Sequence, residues 1–321
     1  MYRLAIVCAV LTLCAYLTFC QSGDFATQRV QDKGGTPVAF DGNRAMGYLK
    51  DLCAIGPRIS GTPGFTKQVE LIRKHFTKFG AKVTRQEFTA RQLSRKDKKP
   101  TPMVNLVVSW HPERKRRVIL STHYDTRPIA DQEKDERKWH EPFLSANDGG
   151  SGVAFLMELA HHMKDLKTEV GVDFVFFDGE EYVFAKHDDY FFGSQHFAEL
   201  YDKGKKTNPA RYVAALLFDM IGGKGAKFPA EISSYRRARP LVEQVWTIAQ
   251  ELKSPVFLNK VGEYEVNDDH LALLDVGIPA IDIIDFEYTH WHKLSDTPAN
   301  CSGEVLAQVS RVVTVWLQRV R

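Results

Sequence analysis

Three short runs of nearly unbroken apolar side chains stand out, at 104–110, 117–122 and 172–177. Such runs predict strands covered on both faces. Residues 212–218 and 278–284 read the same way, while 81–90 alternates like a strand with one wet face. Elsewhere the spacing becomes helical. Val69, Ile72, Phe76 and Phe79 recur at three and four residues within 65–79, which Gly80 closes. Helical patterns also cover 45–52, 152–163, 194–202, 240–252, 269–274 and 304–320. Strands alternating with helices predict an α/β fold, a three-layer sandwich with a central mostly parallel mixed β-sheet flanked by helices. No repeat or linker interrupts residues 41–321, which read as a single domain.

The first forty residues differ. Arg3 precedes an uncharged apolar run at 4–19, long enough for the core of a secretory leader and slightly short for a spanning helix. Residues 1–20 are therefore expected to be a signal peptide directing export, with a retained membrane anchor as the competing reading. Leu17-Thr18-Phe19-Cys20 approximates a lipoprotein cleavage site, although Phe19 is bulkier than such sites carry. Lipidation of Cys20 would be the one route to a membrane. Residues 21–40 are small and polar and read as a flexible tether.

Composition narrows the field. With 44% hydrophobic and 26% charged residues among 321, collagen-like, coiled-coil and wholly disordered chains are excluded. The 43 basic and 40 acidic residues give a net charge of +3, too balanced to imply nucleic acid as the main partner. The basic run Arg95-Lys96-Asp97-Lys98-Lys99 reads as a solvated hairpin tip. Beyond the leader, the distant Cys53 and Cys301 form no disulfide framework and read as buried free thiols. Nothing signals oligomerisation, so a monomer is expected.

The candidate chemistry gathers where strands end, the usual place for reactive groups in a parallel sheet. His123-Tyr124-Asp125 follows one strand, Asp178-Gly179-Glu180-Glu181 another, and Asp219 a third. His290-Trp291-His292 follows the last strand, and Asn147-Asp148-Gly149-Gly150 opens a helix. Two adjacent carboxylates at the mouth of a core strand are costly unless a cation compensates them. Imidazole and carboxylate donors without thiolates suit Zn²⁺, with Mn²⁺ or Co²⁺ as alternatives. Asp148, Glu181 and His292 form the best triplet, leaving Glu180 free to move protons. His123 and Asp219 would hold a second ion in a two-metal site, with Asp148 bridging. Asp178 is a candidate for buttressing the metal loop and Asp125 for orienting the His123 imidazole, and Asp269 either caps a helix or joins the chemistry.

In order, His-Tyr-Asp, Asn-Asp-Gly-Gly-Ser-Gly, Asp-Gly-Glu-Glu, Phe-Asp-Met-Ile-Gly, Asp-Asp-His and Trp-His resemble the M28 zinc aminopeptidase-like superfamily. Gly56-Pro57-Arg58, residues 189–196, Asn267-Asp268-Asp269-His270 and Trp291-His292 are similar to its animal-type glutaminyl-peptide cyclotransferases. The resemblance runs from about residue 41 to the C-terminus. It implies one zinc on Asp148, Glu181 and His292, with Glu180 as the proton-transfer carboxylate. Asp219 and Asp268 would form its acid network, and Trp291, with nearby Phe286, would wall the substrate pocket. The implied reaction is cyclisation of N-terminal glutamine to pyroglutamate with loss of ammonia, on peptides or proteins with that residue free. A two-zinc aminopeptidase and a catalytically silent binding ectodomain are the alternatives. The loop after Glu181 lacks the Trp of the cyclase pattern, Thr122 stands where the animal enzymes have a disulfide cysteine, and residues 147–152 are closer to aminopeptidase wording.

Overall fold

The computed structural model describes residues 34–95, 97, 99–208 and 210–321. The expected leader and Cys20 lie outside them. The main sheet contains β1 (Lys82–Ala90), β2 (Thr101–Trp110), β3 (Arg116–His123), β4 (Gly171–Phe177) and β5 (Arg211–Asp219). After β6 (Phe228–Ala230) and β7 (Phe257–Val261), which pair as a separate two-stranded ribbon, it is completed by β8 (Ala280–Ile284). Its order is β1-β2-β4-β3-β5-β8. The β4-β3-β5-β8 portion is parallel, and β1 and β2 add an antiparallel edge. The α/β sandwich with a mostly parallel sheet is therefore the observed fold.

The helices are α1 (Gly42–Ala54), α2 (Pro63–Lys78), α3 (Gly150–Met163), α4 (Phe192–Gly204), α5 (Ile232–Arg237), α6 (Arg239–Glu251), α7 (His270–Asp275) and α8 (Gly303–Arg319). Side-chain caps set the starts of α1, α2, α5 and α8. Asp41 accepts from the N–H groups of Asn43 and Arg44 at 3.0 Å each, and the Thr62 hydroxyl accepts from that of Phe65 at 3.3 Å. α1 packs on α3 and α8, whereas α4 packs on α7. Within the core, Phe174 and Phe176 of β4 meet Phe76 of α2. Glu158 of α3 is fully buried and takes two 2.6 Å bonds from Arg44 and one of 3.0 Å from the Asp41 N–H, tying α1 to α3.

Residues 34–40 correct the expected tether. The Thr36 N–H donates to Gln318 of α8 at 3.2 Å, and Phe40 lies 5.6 Å from Phe155 of α3. The apolar groups of Val38 and Phe40 give this segment something to bury, which its polar composition obscured. The hairpin tip is also less solvated than expected, since Arg95 donates to Thr101 at 2.8 Å and to Tyr182. Cys53 and Cys301 are buried free thiols. Among the described residues no helix is long and apolar enough to cross a membrane.

Candidate active site

Because β3, β4, β5 and β8 run parallel, their carboxyl ends open on one side of the sheet. There His123, the turn after β4, Asp219 and the loop after β8 meet the start of α3. Oxygens of Asp148 and Glu181 and a ring nitrogen of His292 lie within 4.8 Å of one another, all buried. His292 Nε2 is 3.0 Å from Glu181 Oε1 and 3.5 Å from Asp148 Oδ2. A second cluster shares Asp148: His123 Nε2 lies 3.1 Å from Asp148 Oδ1 and 3.2 Å from Asp219 Oδ1.

Two glycines permit this approach. Gly149 has φ +75°, and a Cβ there would stand 2.7 Å from His123 Cε1. Gly179 takes φ +75° between Asp178 and Glu180, turning the chain sharply so that both glutamates return over the site. Asp125 fixes that turn by accepting from the N–H groups of Glu180 and Glu181 at 3.1 Å each. Asp178 instead binds the turn to β2, accepting from the Val104 N–H at 2.7 Å and from Ser60 at 2.6 Å. His292 itself has φ +51°, and Met220, just after Asp219, has φ +49°. Strained backbone of this kind persists where surrounding structure over-determines it, and it costs on the order of 1–3 kcal/mol per residue.

The electrostatics are those of an acidic cage. Burial pushes the Asp148 carboxyl up, and Glu181 adds to that. Asp148 Oδ2 is buried without a hydrogen-bond partner among the described residues. Burial opposes ionisation of Glu181, but Arg127, at 2.6 Å, and His292 hold its carboxyl well below the usual range. Burial likewise opposes charge on His292, yet Glu181 and Asp131 push its imidazole up to about 9. An orphaned carboxylate oxygen beside an imidazole nitrogen and an ionised glutamate is a donor set that a divalent cation satisfies. His292 Nδ1 lies 2.9 Å from Asp131 Oδ1, and donating there leaves the Nε2 lone pair directed at the cage.

Glu180 is buried beside this cage, 3.6 Å from His123 Nδ1, and does not belong to the tight triplet. Burial, then Glu181, then Asp268 and Asp269 push its carboxyl well above the ordinary value. Of the two acids expected around it, Asp268 is buried with its own carboxyl raised strongly, whereas Asp219 turns to His123. Asp269 does not cap α7 with its side chain, being buried with its carboxyl pushed up to about 7 by burial. Trp291 lies 5.3 Å from Phe286 and 4.1 Å from His292, forming an aromatic wall next to the cage.

Several contributors escaped the sequence reading. Arg127 and Asp131 come from the irregular segment after β3, and only their spacing of four hinted at a pair. Asp296 accepts from the N–H groups of Asn147 and Asp148 at 2.9 and 3.2 Å, so it positions the ligand loop from behind. Asp282 sits in the middle of β8, fully buried, and an acid inside an apolar run was the signal available for it. His290 faces away, 2.8 Å from Ser295.

The sequence profile of peptidase family M28 matches residues 105–317, the stretch that holds both donor clusters, Glu180 and the aromatic wall. The chain belongs to peptidase family M28. Among solved structures, a glutaminyl cyclase from Fimbriiglobus ruber is 47% identical, covering 92% of this chain and 100% of that one at a TM-score of 0.88. A leucine aminopeptidase precursor from Bacteroides thetaiotaomicron is 29% identical, covering 90% of this chain and 100% of its own at 0.81. The glutaminyl-peptide cyclotransferase of Boiga dendrophila is 23% identical over 241 residues, 66% of this chain and 64% of that protein. The chain thus spans just under two thirds of the length of that curated relative.

Proposed function

We propose that this M28 protein cyclises N-terminal glutaminyl residues of peptides to pyroglutamate, releasing ammonia. One observation carries the reading: Glu180, a buried carboxyl of high proton affinity, stands beside a compact Asp148–Glu181–His292 donor triplet under the Trp291–Phe286 wall. The likeness to the Fimbriiglobus ruber glutaminyl cyclase over 92% of the chain supports it. The triplet would hold one Zn²⁺, which when bound supplies Lewis-acid polarisation of the substrate's side-chain amide carbonyl. The chain's residues do the rest. Trp291 and Phe286 confine the glutamine side chain, bringing its own α-amine against the amide carbon, so that proximity replaces an external nucleophile. Glu180 takes a proton from that amine and returns one to the departing ammonia. Burial and Glu181, helped by Asp268 and Asp269, keep the proton affinity of Glu180 high.

The shared Asp148 favours a second reading, a two-metal aminopeptidase with His123 and Asp219 holding the other ion. Gln-peptides and Leu-peptide amides offered side by side separate the two. Ammonia with a cyclised product is expected, and free leucine without cyclisation would overturn the proposal. Glu180→Gln should retain metal yet lose at least about a hundredfold in kcat, the usual scale of general acid–base catalysis. A near-parental rate would remove Glu180 from proton transfer. We further propose export, on the apolar run at 4–19. An N-terminus that still begins at Met1 in protein from the native cell would contradict it.

A further inference from the structure

A partly open recess of about 50 Å³ lies beside the aromatic wall, between the β6–β7 ribbon and the loop after β8. Pro229, Leu258, Val266 and Ile284 form its apolar lining, with Tyr264 and Phe286 at its sides. It includes no donor of either cation cluster and neither Glu180 nor Trp291. It is nonetheless linked to the site by a chain of tilted rings in contact. His292 lies 4.1 Å from Trp291, Trp291 is 5.3 Å from Phe286, and Phe286 is 5.5 Å from Tyr264. Tyr264 is 49% exposed, unusual for a ring of its size with an apolar recess beside it.

We infer that this recess receives an apolar side chain from the second or third residue of the peptide substrate. The inference rests on the cyclisation reading above and adds a downstream specificity site to it. Distance sets the position. An extended peptide advances roughly 3.3 Å per residue, so a chain whose first residue lies at His292 passes Phe286 within about three residues. Chemistry sets the class. The lining offers apolar carbon and two ring faces, while the charged Lys227, Glu231, Lys260, Glu263, Asp285 and Glu287 that share it give the peptide backbone a polar border. Glutaminamide, which ends after the first residue, reaches none of these groups.

The test compares glutaminamide, Gln-Gly-Gly, Gln-Phe-Gly and Gln-Gly-Phe on the whole chain and on the variants Tyr264→Ala and Leu258→Asp. In the parent, Phe at one of the two positions should raise kcat/KM about tenfold over Gly, the scale of burying one large apolar side chain. Both variants should reduce that advantage to below about twofold while turning over glutaminamide as the parent does. An advantage that survives both variants, or parent rates indifferent to the second and third residues, overturns the recess while cyclisation stands. A second measurement does not depend on turnover. Gln-Gly-benzoylphenylalanine irradiated with the protein should label residues within 257–266. Labelling confined elsewhere overturns the inference even if no glutaminyl compound is cyclised, an outcome that would separately sink the cyclisation reading.

Discussion

His292 shows how much a single residue depends on its neighbours. Its Nε2 faces Glu181 and Asp148 only because Asp131 takes the other ring nitrogen, at 2.9 Å, and because the backbone accepts φ +51°. His292→Ala is expected to lower bound zinc to well below one ion per chain by elemental analysis, and unchanged content would contradict the ligand assignment. Asp131→Ala should leave the three donors in place yet weaken metal affinity about 10–100-fold in chelator competition, the usual effect of losing a ligand's orienting partner. Equal affinities would mean that packing alone aims the ring. The ligands themselves were legible because each follows an apolar run or opens a helix, positions where an ionised side chain needs a reason. Asp131, Arg127 and Asp296 were not, because a loop acid is ordinary until its contacts are seen.

Among the elements, β3 and the start of α3 meet in close contact. Gly149 lets the helix begin against His123, and Gly152 lets it lie on β3, since a Cβ there would meet Thr122 Oγ1 at 2.2 Å. Gly149→Ala is therefore expected to cost at least about 1–3 kcal/mol in urea unfolding, from strain at positive φ. It should also lower activity by shifting both His123 and Asp148. Parent-like stability and rate would show that the loop relaxes freely. Strand and helix positions were readable where a period persisted over a full element. The β6–β7 ribbon and α5 were not, because their three, five and six residues lack the apolar cluster that marked the equally short β8 and α7. That ribbon forms one side of the proposed recess, so the least legible element borders the specificity site.

For the molecule as a whole, the order of layers followed from alternating strands and helices, but the stitching of those layers did not. Glu158 is the main case. Its carboxyl is pulled down to about 2: burial opposes ionisation, but His162, Arg44 and the Asp41 N–H outweigh it. A group held below its ordinary value of 4.5 contributes in full above that value and loses its contribution as pH falls toward about 2. Glu158→Gln should thus be less stable than the parent by on the order of 2 kcal/mol near neutral pH, with the gap closing in acid. A gap independent of pH in urea titrations would mean that shape, not charge, joins α1 to α3. Finally, one aspartate belongs to both donor clusters. That carboxylate couples them: on the two-metal reading a second ion would engage His123 and Asp219 through Asp148, whereas on the one-zinc reading His123 would keep its contacts to Asp148 and Asp219.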